Sequence, residues 1–348
     1  MAEGDWRDLV NVDRLREWMD VQGLGSGPLD DARPLGGGSQ NILVQFERQG
    51  RSYVLRRPPQ RSIANGNRTM RREARFLSAL RTTDVPHPQL IAQCDDEAIL
   101  GAAFYLMEPV NGYNVALGLP DKAAQDPGMR RRMGFSLIDS LVKLAAVDYV
   151  AVGLADMGKL DGFIERQVGR WRMQFESYRE FDGWTVDKDL AALNEIAVWL
   201  DANRPNSFVP GIMHGDYHLA NVMFHHDTAD VVAIIDWEMA TIGDPLIDLG
   251  WALAMWHENG TWAGDPIITP WDGLPEPSEL IERYGRESGR DVSNMRWYRV
   301  MACYKLAIVL EGTYARSFVG MAAMTTGQSL HQRALALTAR AHDLIDRC

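Results

Sequence analysis

The sequence predicts an α+β protein of two lobes: a β-rich N-terminal lobe over residues 1–110 and a mostly helical C-terminal lobe over residues 111–348. Two patterns carry this prediction. Short β-patterned runs bounded by Gly and Pro recur before residue 110, and long runs with apolar residues at helical spacing dominate after it. The length agrees, because 348 residues exceed one small core and suit two packed units with a cleft between them.

Taken in order, Trp6, Leu9, Val10, Leu15, Trp18 and Met19 recur at roughly helical spacing, so residues 6–20 read as a helix ended by Gly23, Gly25, Gly27 and Pro28. After Leu35 comes Gly36-Gly37-Gly38-Ser39. Residues 41–46 and 53–56 then read as a hairpin about Gln49-Gly50, stopped by Pro58-Pro59. Residues 67–82 place Met70, Ala74, Leu77 and Leu80 on one helix face, and residues 90–94 and 104–107 read as strands. Beyond Gly112, helices are expected over 128–147, 161–180 and 188–202. A small hairpin follows from the apolar runs 221–224 and 231–235, and helices resume near 246 around a loop at 259–277.

Composition narrows the function classes. A net charge of −11 argues against a nucleic-acid partner, because phosphate backbones are repelled. Cys94, Cys303 and Cys348 lie far apart and make no disulfide framework or CxxC pair. The first residues lack an apolar leader, and no apolar run reaches the ~18 residues of a membrane span. The expectation is a cytoplasmic protein with no membrane partner.

The chemistry concentrates in His214-Gly215-Asp216 with Asn221, followed by Ile234-Ile235-Asp236-Trp237-Glu238. A carboxylate on a loop, a carboxamide five residues on and a second carboxylate after the next strand suit phosphoryl transfer. One acid orients the attacking hydroxyl and accepts its proton, while hard oxygens hold Mg²⁺ against phosphates. A zinc site from His214, His218, His225 and His226 is the competing reading, and it would need those side chains to converge.

This segment resembles the aminoglycoside phosphotransferase family of the protein-kinase-like superfamily. The resemblance rests on His214-Gly215-Asp216, Asn221, Ile235-Asp236-Trp237-Glu238, Gly243-Asp244-Pro245 and Asp248, in family order and spacing. It implies a bilobal protein-kinase-like fold that uses ATP and Mg²⁺. Asp216 would be the catalytic base, Asn221 and Asp236 the metal ligands, and Asp248 a structural acid. Leu55-Arg56-Arg57-Pro58-Pro59 and residues 162–167 are similar to a subset of the family that includes the kinase-like domains fused to acyl-CoA dehydrogenases.

The N-terminal lobe supplies the rest of the expected nucleotide site. The glycine turn, with Gly37, Gly38 and Ser39, can form an anion nest of backbone N–H groups. Where the protein-kinase fold carries a Lys, Arg56 stands here, with Glu73 as its expected partner; a surface ion pair is the plain alternative. By the resemblance, residues 105–112 connect the lobes and bind the adenine edge. Pro109 lacks an N–H, which leaves the Glu108 carbonyl and the Val110 N–H.

The partners expected are therefore ATP and a small hydroxylated molecule. These motifs specify the chemistry, not the acceptor or the number of subunits. Residues 251–318 are expected to line the acceptor pocket. They are rich in aromatics (Trp251, Trp256, Trp262, Trp271, Trp297, Tyr298, Tyr304 and Tyr314), while Glu258, Asp265, Asp272 and Glu311 are scattered. That favours an apolar or acyl-bearing alcohol, such as a hydroxyacyl thioester, over an aminoglycoside or other antibiotic. Arg166 and Arg170, one helical turn apart, are candidates for an anionic tail. From another functional class, a nucleotide-binding pseudokinase would have lost Asp216, Asn221 or Asp236, and all three are present.

Overall fold

The computed structural model describes residues 6–35, 41–59, 63–185, 189–258 and 267–346. The expected N-terminal helix is two helices, α1 (Trp6–Leu9) and α2 (Val12–Val21). The break falls at Asn11, whose side chain accepts the Arg14 N–H at 3.0 Å and so starts α2 afresh. Next come β1 (Asp30–Pro34), β2 (Ile42–Arg48), β3 (Arg51–Arg57), α3 (Ile63–Leu80), β4 (Leu90–Cys94), α4 (Glu97–Leu100) and β5 (Phe104–Met107). β1 lies in a stretch with too little apolar alternation to predict a strand. Gln49 and Gly50 turn the β2–β3 hairpin with φ of 51° and 72°, the positive values that match strand twist.

These strands form one five-stranded antiparallel sheet in the order β1-β2-β3-β5-β4. Alternation sends Val44, Phe46, Tyr53, Leu55, Phe104 and Leu106 to one face, where Leu15 and Met19 of α2 cover them. Arg56 and Tyr105, paired across β3 and β5, take the other face toward α3.

The remaining chain is mostly helical: α5 (Asp121–Gln125), α6 (Pro127–Ala146), α7 (Glu165–Ser177), α8 (Leu193–Ala202), α9 (Leu246–Ala254), α10 (Pro277–Ser288), α11 (Met295–Phe318) and α12 (Met324–Asp346). Between α8 and α9 run two short ladders. One pairs β6 (Gly211–Met213) with β9 (Thr241–Gly243); the other pairs β7 (Val222–Phe224) with β8 (Val231–Ile234). The second is the expected hairpin. Among the described residues no helix is long and apolar enough to cross a membrane.

The two halves are joined closely. Tyr113 and Phe224 exchange backbone hydrogen bonds of 2.9 and 2.8 Å, which stitches the connector to β7. Only glycine fits at Gly112, since a Cβ there would stand 2.7 Å from the Phe224 carbonyl oxygen. Arg72 of α3 donates to the Ala240 carbonyl, and Phe76 stacks on Trp237. One apolar core runs from Met70 and Leu77 in α3 to Leu337 and Ala341 in α12.

Gly215, between β6 and β7, has φ of 86°, and a Cβ there would lie 2.5 Å from the Met239 carbonyl oxygen. The Gly215→Ala protein should therefore lose roughly 1–3 kcal/mol of unfolding free energy, the size of one such strained residue. Urea unfolding measures this, and a stability equal to that of the parent would refute the steric account.

Candidate active site

The loop after β6 is held from beneath by Asp248, in the first turn of α9. This buried carboxylate accepts the His214 N–H at 2.6 Å and the Gly215 N–H at 2.9 Å. Burial raises its pKa to about 7, against the pull of those two N–H groups. The His214 ring packs edge-on against Trp237, and its Nε2 donates to the Ile235 carbonyl at 2.9 Å. His214 thus braces the loop, and burial lowers its pKa.

Asp216 is presented next. Its Oδ1 accepts the Trp251 indole N–H at 2.8 Å, and its Oδ2 accepts the Asn221 Nδ2–H at 2.9 Å. His218 Nε2 stands 3.5 Å from Oδ1. Burial works to raise the Asp216 pKa, but His218, His214 and the Trp251 N–H outweigh it and leave it below the ordinary value. The carboxylate is therefore ionised near neutral pH and fixed in orientation by donors on two sides.

Register brings the second half of the motif alongside. Val222 pairs with Ile234, and just outside that pair the Ile235 N–H donates to the Asn221 carbonyl at 2.9 Å. Asp236 follows at once, with φ of 67°. That left-handed conformation costs a non-glycine residue on the order of 1 kcal/mol. It ends β8 and frees the carboxylate to meet Arg56, whose Nη2 lies 2.7 Å from Asp236 Oδ1.

Arg56 also holds Glu73 through Nε at 2.9 Å and Nη2 at 3.1 Å, and Tyr105 donates its hydroxyl to Glu73 at 2.7 Å. Both members of this pair are buried, which excludes the surface-pair alternative. Burial alone would lower the Arg56 pKa; Tyr105, Glu73 and Asp236 together raise it, so the guanidinium stays charged. Carboxylate oxygens of Glu73, Asp236 and Glu238 lie within 4.8 Å of one another. Burial, then the charges of Asp236 and Glu73, push Glu238 up to about 7. Crowded hard oxygens of this kind suit a small divalent cation.

The other expected residues divide. The Glu108 N–H donates to the Gln89 carbonyl at 2.9 Å. The Glu108 carbonyl and the Val110 N–H make no main-chain hydrogen bond among the described residues, which leaves that edge open. Gly37, Gly38 and Ser39 lie outside the described residues. His225 Nδ1 accepts the Asp227 N–H and His226 packs by Tyr113, so these histidines do not converge with His214.

Two acceptor-side expectations need correction. Trp256, Trp297, Tyr298 and Tyr304 are core residues, with Trp297 bonded to the Leu200 carbonyl and Tyr298 to Asp244; Trp262 lies outside the described residues. Arg166 turns back to the Asp161 and Lys159 carbonyls, because the loop before α7 needs donors there. The sequence reading passed over Lys305, which donates to the Gly215 carbonyl at 3.2 Å; it named Trp251 only as a pocket aromatic and Glu238 only within its motif, without their parts beside Asp216 and Asp236. Trp251 was within reach of that reading, since it lies one helical turn beyond Asp248 and shares its face.

The phosphotransferase enzyme family model matches residues 31–298. The chain is 27% identical over 299 residues to acyl-CoA dehydrogenase family member 10 of Mus musculus, and 29% identical over 309 residues to family member 11 of Gallus gallus. These alignments cover 84% and 86% of this chain but only 27% and 38% of those relatives, so it spans a minor part of each. Among solved structures, a Ralstonia eutropha JMP134 protein described as a candidate aminoglycoside phosphotransferase has 28% identity and a TM-score of 0.79, over 96% of this chain and 98% of that one. Aminoglycoside phosphotransferase APH(4)-Ia shares the fold at a TM-score of 0.61 and 16% identity, over 94% and 98%. Because the matched span runs from β1 into α11 and encloses Asp216, Asn221, Asp236 and Asp248, this bilobal, protein-kinase-like chain belongs to the phosphotransferase enzyme family.

Proposed function

We propose that this phosphotransferase is an ATP-dependent kinase of a small alcohol with an apolar or acyl part, such as a hydroxyacyl thioester. The observation that carries the reading is Asp216, an ionised carboxylate oriented by Trp251 and Asn221 beside the Asp236 cluster. Nucleotide use is supported by the fold neighbours solved with ADP or AMP-PNP and hygromycin B.

In this reading residues 1–110 bind the nucleotide and residues 111–348 carry the transfer loop and acceptor site. The adenine edge meets the Glu108 carbonyl and the Val110 N–H. Arg56, fixed by Glu73, faces the phosphates, and Gly37, Gly38 and Ser39 cover them. Asp236 and Asn221 offer oxygens to Mg²⁺, which when bound would offset phosphate charge. Asp216 orients the acceptor hydroxyl and takes its proton as the oxygen bonds to the γ-phosphorus and ADP departs. Positioning and charge supply the rate, since the transfer needs no covalent enzyme intermediate.

The aminoglycoside reading draws on the names of the solved relatives. Against it, the acids a polycation would need are already engaged. Glu258 pairs with Arg299 and Arg340, Asp272 with Arg130, and Glu311 with His331 and Trp184. Asp265 lies outside the described residues. The pseudokinase reading finds no missing catalytic side chain to support it.

Three outcomes are expected. The Asp216→Asn enzyme should turn over at least ~100-fold more slowly while still binding ATP, the loss typical of a missing general base; near-normal turnover would remove Asp216 from that role. In Mg²⁺ titrations of nucleotide affinity, Asp236→Ala should lose more than Asn221→Ala, because a charged ligand outweighs a neutral one. The reverse order would reassign the main ligand. In ADP-release assays at equal concentration, hydroxyacyl thioesters should be turned over in preference to kanamycin-type antibiotics. Turnover of the antibiotic alone would overturn the acceptor class and leave the kinase reading standing.

A further inference from the structure

Lys305 sits in an otherwise apolar stretch of α11, between the buried Tyr304 and Leu306, and is itself partly exposed. Its ammonium donates to the Gly215 carbonyl at 3.2 Å, next to Asp216 in the chain. It lies 4.0 Å from the centroid of the Trp251 ring, whose N–H holds Asp216, and 5.4 Å from that of Trp171. An ammonium has three N–H donors. Here one meets an oxygen, and the aromatic faces attract the charge without replacing the other two acceptors. Among the described residues no carboxylate reaches ion-pair distance of it. Arg170 stacks 5.3 Å from the same Trp171 ring and adds positive charge. The transfer site thus has a cationic, indole-walled side, which opposes a polycationic acceptor and favours one with an oxygen acceptor group.

We propose that Lys305 is the specificity-determining residue for the acceptor: it bonds a carbonyl or carboxylate oxygen of the substrate and so sets the neighbouring hydroxyl against Asp216. This rests on the kinase reading above and narrows it to hydroxy acids or their thioesters. Neutral diols and amino sugars offer Lys305 no such oxygen.

Substituting Met keeps an unbranched stem against Trp171 and Trp251 and removes the charge; Arg keeps the charge. The Lys305→Met enzyme should show an acceptor KM raised roughly tenfold to a hundredfold, the worth of one charge-assisted hydrogen bond. Its kcat should change far less, and Lys305→Arg should recover part of the KM. The parent should prefer medium-chain hydroxy acids or their CoA thioesters over the matching diols, and these two arms show whether a carboxylate or a thioester carbonyl is the partner. A second signature is pH. Burial lowers the Lys305 pKa to about 8, with Asp248 and Asp216 opposing and Arg170 assisting. The recognising cation is present below that value and lost above it, so the parent's acceptor KM should rise above about pH 8. In Lys305→Met it should stay flat, although Asp216, Asp248 and Arg170 remain.

Calorimetric binding of the same hydroxy acids and thioesters to the parent and to Lys305→Met reads the contact without turnover. Weaker binding by Lys305→Met supports the contact even if ATP is not the phosphoryl donor, and absent ADP release in every arm would indict the kinase reading alone. Equal acceptor affinity in the parent and Lys305→Met, or equal use of acids and matching diols by the parent, would overturn the role of Lys305. Retained ATP-dependent thermal stabilisation, or parent-like unfolding if ATP does not bind, shows that the variants are folded.

Discussion

A single guanidinium, that of Arg56, ties together three elements that are distant in sequence. It rises from β3, takes both oxygens of Glu73 on α3, and reaches Asp236 beyond β8. A charge buried this far is tolerated only when its partners are in place, and removing one partner leaves an uncompensated ion, which costs about 3–5 kcal/mol. The positions of the sheet, of α3 and of the Asp236 turn are therefore not independent. Tyr105 adds its hydroxyl to the same carboxylate, so the strand beside β3 is drawn into the arrangement.

A second buried charge governs the other half of the site. Asp248 has no cationic side chain at ion-pair distance among the described residues, and it is offset by two backbone N–H groups of the loop it supports. The loop in turn sets Asp216 between an indole and a carboxamide. Lys305 faces the same loop from α11. Charge around Arg56 is balanced ion against ion; around Asp248 and Lys305 it is balanced mainly by dipoles and rings, which are weaker and leave donors to spare.

Much of this was legible in the sequence where information is local. Alternation, apolar runs and turn chemistry located the β2–β3 and β7–β8 hairpins, and the family resemblance carried by His214 to Asp248 implied the loop and the structural role of Asp248. Pairing between distant segments was not legible. β6 and β9 are three residues each, too short to show a period. Nothing local to Lys305 says that it reaches the loop before Asp216. The aromatic run misled for a related reason, since composition shows that rings are present but not whether they face a cleft or a neighbouring helix. Trp297 and Tyr298 found buried polar partners and joined the core.

The apolar core that runs from Met70 in α3 to Ala341 in α12 has a consequence for how the chain can be divided. The boundary near residue 110 separates two patterns of secondary structure and leaves the cluster between α2 and the sheet whole, but it divides this larger core. Cutting there would strip the α3 face of its cover and expose buried side chains such as Phe76 and Leu80, although the cluster between α2 and the sheet would stay within one piece. The two lobes share the larger core, so a gene fusion or recombination event that parted them near residue 110 would leave its apolar faces uncovered in both pieces.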